Sequence, residues 1–206
     1  MNSTREQQVV DLLKAIETGA PEPVAVIDPN HYTQHNLGVA DGLAGFGALL
    51  QSLPEGSARV NTARVFEDGD FVFAHTEYDF FGPKIGFDIF RFADGRIVEH
   101  WDNLQETSGQ TIFNGPVEAT DLDATETNKA LVRAFVDASG KYDRIHTILG
   151  KGNFVLAVSE GTLDGKHSSF YDLFRVENGA IAEQWNTIET IPPRDEWKNS
   201  NGKFGF

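Results

Sequence analysis

Two titratable side chains, His100 and Asp102, stand two residues apart in a segment rich in strand-forming residues. Successive side chains of a strand point to opposite faces, so this spacing predicts that both lie on one face. Phe and Val residues of the same hairpin are expected beside them, and burial of this kind raises the pKa of a carboxyl group toward the range useful in general acid–base catalysis. The pair therefore predicts a proton-transfer site, with partly exposed residues at a sheet end as the alternative.

The turn at Asp94-Gly95 determines which neighbours share that face. A two-residue turn would place Asp102 with Phe87, whereas a three-residue turn with a bulge at the glycine would place it with Asp88 and Phe90. In either case the two titratable side chains stay together, because their spacing within the strand is unchanged.

A second group of hydrogen-bonding side chains lies between two amphipathic segments. Its members are Tyr32, Thr33, Gln34, His35 and Asn36. They are either ligand-binding residues or residues that satisfy backbone groups at a turn. His31 and His35 have a spacing that would suit a metal on a helix, but Pro29-Asn30 and the lack of an intervening glutamate argue against a zinc-protease site. We expect no metal. The sequence also lacks a glycine-rich phosphate loop in a strand-to-helix context and a Gly-x-Ser-x-Gly nucleophile elbow.

The hairpin sequence occurs twice in the chain. Segment 87–102 returns 84 positions later with seven of sixteen residues identical, where chance would give about one. The second copy has Gln184 in place of His100 and Asn186 in place of Asp102. Neutral amides of similar size replace both titratable groups, so only the first copy is predicted to transfer protons.

Each copy belongs to a unit that starts with a helix. In the first unit, Ser3-Thr-Arg-Glu6 has the form of a capping box, and helical apolar spacing continues to Gly19. A second helix is predicted over 41–53, capped by Asp41. Alternating β-branched and aromatic residues then predict an antiparallel meander of about four strands. These strands cover 58–66, 71–80, 85–92 and 97–105.

The second unit repeats this order but lacks the equivalent of residues 21–53. A helix is predicted over 124–139. Strands are predicted over 144–149, 154–160, 168–176 and 181–188. The sequence thus predicts a pocket-bearing domain at 1–107, a linker at 108–123, a shortened repeat at 124–191 and a polar tail at 192–206.

The composition favours a globular protein and excludes several partners. Of the 206 residues, 40% are hydrophobic and 11% aromatic, which is enough to bury a core. The net charge of -14 argues against nucleic acid and anionic membrane surfaces as partners. No apolar run approaches the ~20 residues that span a bilayer, and the first residues lack a signal-peptide core. The absence of cysteine excludes disulfides and thiol catalysis. We expect a cytoplasmic protein.

Two segments resemble a known family. Tyr32-Thr-Gln-His-Asn-Leu-Gly-Val-Ala-Asp-Gly42, together with 88–102 and Gln105, resembles the SnoaL-like polyketide cyclase family of the nuclear-transport-factor-2-like superfamily, in particular its predicted aldol-condensation enzymes. The resemblance covers about residues 6–106, and the second unit resembles only the helix and sheet of the superfamily. It implies an α+β cone, in which helices pack on a curved antiparallel sheet around one apolar pocket, present as one full unit and a shortened copy in tandem.

The resemblance also implies roles for individual residues. The cyclases use the aspartate after the tryptophan, here Asp102, as a general acid–base, and they need no metal or cofactor. Carried over, Asp102 would move the proton, and His35 would be its partner in binding a carbonyl oxygen or a water. The preceding strand carries a catalytic histidine in the polyketide cyclases, and Asp88 stands at that point here. The substrate-binding residues implied are Tyr32, Gln34, Asn36, Phe90, His100 and Trp101.

We therefore predict a cofactor-independent lyase or isomerase of the aldol-cyclase type that acts on a small apolar carbonyl compound. A non-catalytic module that binds a small molecule or a protein is one alternative, and water activation as in an epoxide hydrolase is another. Family members commonly dimerise through their sheets, so the second unit would supply that surface within one chain or form a separate interaction domain. The protein would then be a monomer with an internal pseudo-dimer, or a homo-oligomer.

Overall fold

The structure is a computed structural model that describes residues 3–54, 56–107 and 111–206. The helices and strands are α1 Arg5–Thr18, β1 Thr33–Gln34, α2 Gly42–Ser52, β2 Arg59–Asp68, β3 Phe71–Asp79, β4 Pro83–Ala93, β5 Arg96–Glu106, α3 Thr125–Ser139, β6 Arg144–Lys151, β7 Phe154–Leu163, β8 Lys166–Glu177 and β9 Ala180–Thr190. Short 3-10 turns cover Pro23–Val26, Leu122–Ala124 and Arg194–Glu196. This order of helices and antiparallel sheets confirms the predicted α+β class.

The first helix begins one residue later than predicted. The Thr4 hydroxyl accepts the backbone N–H of Gln7 at 3.2 Å, so the cap is formed by these two positions. Gly19 ends the helix with φ 70°, and its N–H donates to the Ala15 carbonyl at 2.8 Å. Across the described residues, no helix combines the length and apolar character needed to cross a membrane.

The first sheet has the strand order β1-β5-β4-β3-β2. β2 to β5 are antiparallel, whereas the two-residue β1 pairs in parallel with β5. The sequence did not predict β1, because a parallel strand of this length has no periodicity of its own. Its pairing brings the 32–36 segment to the edge of the sheet, beside Glu99 and His100 of β5.

The β4–β5 hairpin combines features of both predicted alternatives. Its turn is the two residues Asp94-Gly95, with φ of 50° and 77°, the positive values that a tight hairpin turn requires. One extra residue in β5, Val98, then shifts the register by a single position. Asp102 consequently pairs with Asp88, as predicted for a bulged hairpin, but the bulge is at Val98 rather than at the glycine.

The second sheet has the order β6-β7-β8-β9 and repeats these details. Its hairpin turn is Asn178-Gly179, with φ of 51° and 73°, and Ala182 is the extra residue in β9. Asp172 pairs with Asn186. The repeat in the sequence is therefore also a repeat of backbone register.

The two sheets pack on each other through the faces that point away from the helices. The shared core consists of large apolar side chains from both sheets: Phe66, Phe73, Phe87, Ile89 and Trp101 from the first, and Leu149, Phe154, Leu156, Val158, Tyr171 and Leu173 from the second. On the other faces, α1 packs on the first sheet and α3 on the second. The layers are thus helices, sheet, sheet and helix.

The connection between the units is anchored by a buried arginine. Arg64 in β2 donates to the carbonyls of Ile112, Asn114 and Pro116 at 2.8, 2.6 and 2.9 Å, and its guanidinium lies 3.9 Å from the ring centre of Trp185 in β9. Residues 108–110 of the predicted linker lie outside the described residues. The part that is described packs against both sheets.

The segment after β9, which the sequence left without a structural assignment, returns to the first unit. The Lys198 N–H donates to the Leu37 carbonyl at 2.8 Å. The Asn199 side chain donates to the carbonyls of Asn36 and Val39, and Asn201 donates to the Gln34 carbonyl at 2.9 Å. The tail therefore holds the 32–36 segment against the sheet. The domain limits at 1–107, 124–191 and 192–206 stay a prediction.

Candidate active site

A cavity of about 200 Å³ lies between α1, α2 and the first sheet. Its apolar lining comes from Leu12, Leu13, Ile16, Val39, Phe46, Leu49, Phe80, Phe90 and Leu104. Its polar lining comes from Tyr32, Gln34, Asn36, Tyr78, Asp88, His100 and Asp102. The cavity thus joins an apolar binding space to a cluster of hydrogen-bonding groups, the combination typical of small-molecule sites.

Asp102 is held at the cavity by one carboxylate oxygen only. Its Oδ2 accepts the Asn36 side-chain N–H at 2.6 Å. Its Oδ1 is buried and receives no hydrogen bond from the part of the chain that the structure describes. The residue is only 4% exposed, so this oxygen combines burial with a free lone pair. The alternative of a solvated strand end therefore does not fit Asp102.

Asp88 and His100 form a hydrogen-bonded pair beside it. His100 Nε2 lies 3.2 Å from Asp88 Oδ1, and Nδ1 lies 3.0 Å from Gln34 Oε1. Gln34 Oε1 also accepts the backbone N–H of Asn36 at 2.9 Å, which identifies it as the amide oxygen, so Nδ1 must donate. Nε2 and Asp88 Oδ1 then share one proton, and the pair can release or accept it.

Two buried tyrosines flank the acids. Tyr78 donates to Asp88 Oδ2 at 2.8 Å. The Tyr32 hydroxyl accepts a long hydrogen bond of 3.4 Å from Gln34 and, among the described residues, donates to no acceptor. Burial raises the pKa of both phenols, and the charges of Asp102 and Asp88 raise it further. Tyr32 therefore remains neutral and has an O–H available to a ligand.

The three titratable groups are close enough to act together. One donor atom each of Asp88, His100 and Asp102 lies within 4.8 Å of the other two. This spacing could hold a metal ion, but the existing contacts favour protons. Tyr78 and His100 occupy both oxygens of Asp88, and Asn36 occupies one oxygen of Asp102. A cation would have to displace these hydrogen bonds.

His35 and Trp101, both predicted to serve the site, lie on the opposite face of the sheet. Gln34 pairs with His100, so alternation turns the next residue away from the cavity. The His35 ring stacks on Trp101 at 4.8 Å, and its two nitrogens contact Glu99 Oε1 at 2.9 Å and the Gly202 carbonyl at 2.7 Å. The expected partnership of His35 with Asp102 is therefore not found. The structure brings the other seven predicted residues to the cavity.

Two residues near the acids were not predicted. Tyr78 belongs to β3, where alternation with Ala74 and Thr76 could have placed it on the cavity face. Lys203 comes from the tail, and its Nζ lies 3.9 Å from Asp102 Oδ1. No local pattern signals this second contact, because the two residues are far apart in the chain.

The second unit retains the frame of the site without its titratable pair. Gln184 donates to Asp172 Oδ1 at 2.8 Å, which copies the contact of His100 with Asp88. A glutamine amide cannot take up or release the proton. Burial raises the pKa of the Asp172 carboxyl, and the apolar face of α3 packs on that side of the sheet. The second unit therefore has no counterpart of the hydrogen-bonded pair of His100 and Asp88.

Comparison with known proteins adds a family. Residues 9–100 match the family described as the SnoaL-like domain. No curated protein matches the chain.

Several solved structures resemble about half of the chain. A nuclear-transport-factor-2-like protein of unknown function from Cytophaga hutchinsonii is 13% identical, with a TM-score of 0.44 over 51% of this chain and 93% of its own. IdmH from Streptomyces antibioticus, described as a candidate polyketide cyclase, is 19% identical, with a TM-score of 0.40 over 48% and 90%. An epoxide hydrolase from M. tuberculosis is 19% identical, with a TM-score of 0.41 over 48% and 81%.

Proposed function

Because residues 9–100 match the SnoaL-like domain family, we propose that the protein is a cofactor-independent lyase or isomerase that acts on a small apolar carbonyl compound. Asp102 is the general acid–base. One observation carries the proposal: a buried carboxylate, with one oxygen that no described residue hydrogen-bonds, lines a largely apolar cavity, next to a second carboxyl group that is paired with a histidine.

The first step uses Asp102 Oδ1. It takes a proton from the carbon next to the substrate carbonyl, and the electrons of the broken C–H bond move into an enolate. Asn36 fixes the other oxygen at 2.6 Å, so the carboxylate is oriented before the substrate binds. Orientation of this kind lowers the entropy cost of the step.

The enolate oxygen needs a hydrogen-bond donor in the same cavity. Tyr32 supplies one, because its hydroxyl is buried, neutral and free to donate within the described residues. A neutral donor fixed in an apolar site stabilises developing negative charge without reorganisation of solvent.

The second step uses the proton shared by Asp88 and His100. In an aldol closure, the enolate carbon bonds to a second carbonyl carbon, and the oxygen of that carbonyl takes this proton. Asp102 then returns its proton to the pair, which restores the starting state. In an isomerisation, the same proton is delivered to a different carbon of the enolate.

The cavity limits the substrate. At about 200 Å³ it is smaller than the ~300–1,000 Å³ typical of sites for drug-sized ligands. The lining contains no arginine or lysine that would pair with an anionic group. We therefore propose a small, uncharged substrate with one or two carbonyl groups.

Water activation is a second candidate, supported by the contact of Asp102 with the Asn36 amide. A carboxylate and an amide side by side can orient a water that attacks an epoxide. The two reactions differ in the source of oxygen. Epoxide opening would incorporate oxygen-18 from labelled solvent into the product, whereas aldol closure or isomerisation would not form a new carbon–oxygen bond from water.

The test combines ligand binding with turnover. Small ketones, β-diketones and epoxides are screened by thermal shift, since a ligand at a hundredfold excess over Kd stabilises the native state by ~2.7 kcal/mol. Asp102→Asn is expected to keep binding but to lose about 10²–10⁴-fold in kcat/KM. Asp172→Asn, the same type of change at the second unit's counterpart of Asp88, should leave kcat/KM unchanged.

Binding without turnover in the wild type would instead favour a non-catalytic binding module. Turnover that survives Asp102→Asn would contradict the role of this residue.

A further inference from the structure

A buried lysine of the tail lies next to the proposed base. Lys203 is only 3% exposed, although lysine side chains are rarely buried unless paired. Its Nζ lies 3.0 Å from Glu189 Oε1 and 3.9 Å from Asp102 Oδ1. The cation therefore lies between a carboxylate of β9 and Oδ1 of Asp102, a residue that lines the cavity.

The lysine and Asp102 interact through charge rather than through a hydrogen bond. Neither Lys203 Nζ nor Asp102 Oδ1 has a hydrogen bond of good geometry within the described residues. Glu189 is engaged separately, since its Oε2 accepts the Leu104 N–H at 3.0 Å. In a buried setting of low dielectric, a cation at this distance attracts the charge of the carboxylate while leaving the lone pairs of Oδ1 free.

The tail is held in a way that fixes the lysine. Two residues before it, the Asn201 side chain donates to the Gln34 carbonyl at 2.9 Å and to Asp41 Oδ1 at 2.7 Å. Three residues after it, Phe206 stacks on Trp101 at 4.5 Å. Gly205 lies so close to His35 that an added Cβ would be 2.7 Å from its ring. Contacts on both sides thus restrict where the ammonium group can lie.

We propose that Lys203 is a positioning residue whose positive charge stabilises the Asp102 carboxylate as proton acceptor, so that the tail after the second unit forms part of the site in the first. The inference rests on the proposed role of Asp102 as a base. In this proposal the second unit contributes to the site, because Glu189 and the tail hold the cation in place.

The ionisation of Asp102 can be measured without a substrate. Protein labelled with ¹³C at the aspartate carboxyl groups is titrated by NMR, and the Asp102 signal is identified as the one that Asp102→Asn removes. Lys203→Met is expected to move the titration midpoint of this signal upward by about one pH unit, since a neighbouring cation lowers the proton affinity of an aspartate by one to three units.

Three further variants separate charge from structure. Lys198→Met makes the same change at an exposed position of the tail and should leave the midpoint where it is. Lys203→Arg keeps the charge and should restore most of the shift. Glu189→Gln removes a neighbouring anion and should move the midpoint downward, in the direction opposite to Lys203→Met.

The indole N–H signal of Trp101 reports whether the tail is still docked, because Phe206 stacks on that ring. An unchanged midpoint in Lys203→Met would overturn the proposal, as would a shift that Lys203→Arg shows equally. If the indole signal also moves in Lys203→Met, Lys203→Arg is examined in the same way. A midpoint restored by arginine while the indole signal stays moved supports the charge, and a midpoint that arginine does not restore overturns it.

The two proposals can fail independently. A shifted midpoint with no turnover of any tested compound would support the effect of Lys203 and contradict the enzyme. Turnover with an unchanged midpoint would support the enzyme and contradict the effect of Lys203. If both hold, the acidic limb of the kcat/KM profile moves with the midpoint in Lys203→Met, and the plateau at higher pH is retained.

Discussion

His100 and Gln184 occupy equivalent positions and make equivalent contacts, yet only one of them can carry a proton. His100 Nε2 lies 3.2 Å from Asp88 Oδ1 in the first unit. The Gln184 amide nitrogen lies 2.8 Å from the equivalent oxygen, Asp172 Oδ1, in the second. The fold therefore accepts either side chain, and the difference between them is a difference in chemistry. This makes the second unit a natural guide for designing a variant of the first.

Copying the second unit into the first gives a residue-scale prediction. His100→Gln should preserve the contact with Asp88 and the fold, and should lower kcat/KM by about 10²–10⁴-fold because the shared proton is lost. Steady-state kinetics and the melting temperature measure the two effects. His167→Gln, which changes an exposed histidine, is the control. Activity that survives His100→Gln would show that the shared proton is not used.

The sequence predicted most residues of the site but not the register that selects them. The spacing of His100 and Asp102 was enough to place both on one face. Because of the bulge at Val98, this face also holds Asp88. No residue type in the sequence predicts a bulge at that position. His35 was misplaced for a related reason, since its direction depends on a two-residue parallel pairing that has no sequence pattern.

Among the elements, α2 forms one side of the cavity and contains two interior glycines, Gly45 and Gly47, with different surroundings. A Cβ on Gly45 would lie 1.8 Å from the Ala40 carbonyl oxygen, whereas a Cβ on Gly47 would have nothing within 4 Å. The first glycine is required by close backbone contact, and the second only costs conformational entropy. Close packing therefore requires the glycine at position 45, whereas it does not require the glycine at position 47.

This difference gives an element-scale prediction. Gly47→Ala should raise the free energy of unfolding by about 0.4–1 kcal/mol, because alanine restricts the unfolded chain and fits the helix. Gly45→Ala should lower it, because the start of the helix must move away from Ala40. Urea unfolding of the two variants measures both effects. Equal effects of the two substitutions would contradict the packing described for Gly45.

The longer elements were predictable because their residue types are local signals. The eight-residue to twelve-residue strands of both meanders are rich in β-branched and aromatic residues, and the glycine-containing turns mark their ends. The docking of the tail was not predictable, since Asn201 and Lys203 contact residues more than 100 positions away. Long-range contacts made by single polar side chains leave no local pattern.

In the whole molecule, the packing of the two sheets buries a histidine that has to stay neutral. His75 is fully buried, and Arg64 lies 3.3 Å from its Nδ1. Burial, and then the charge of Arg64, lower the pKa of His75 from 6.5 to about 3. Above pH 6.5 the group is neutral in both the folded and the unfolded chain. Between pH 6.5 and 3 only the unfolded chain takes up the proton, so stability falls as the pH falls.

Removing this histidine should make the molecule less sensitive to acid. In His75→Phe, which keeps an aromatic ring against Phe87, the dependence of unfolding free energy on pH should be smaller by up to about 1.4 kcal/mol per pH unit between pH 5.5 and 3.5. Urea unfolding at several pH values measures the slope. Identical slopes for the variant and the wild type would show that His75 is not the acid-sensitive group.

The contact of Arg64 with Trp185 has no mirror image in the molecule. The equivalent of Trp185 is Trp101, which instead stacks with His35 and Phe206. In a symmetric homodimer each interface contact occurs twice, and so does every mutation. Here the two sheets share one chain, so a mutation alters one side of the interface only. Each half can therefore change its side of the interface without the same change in the other.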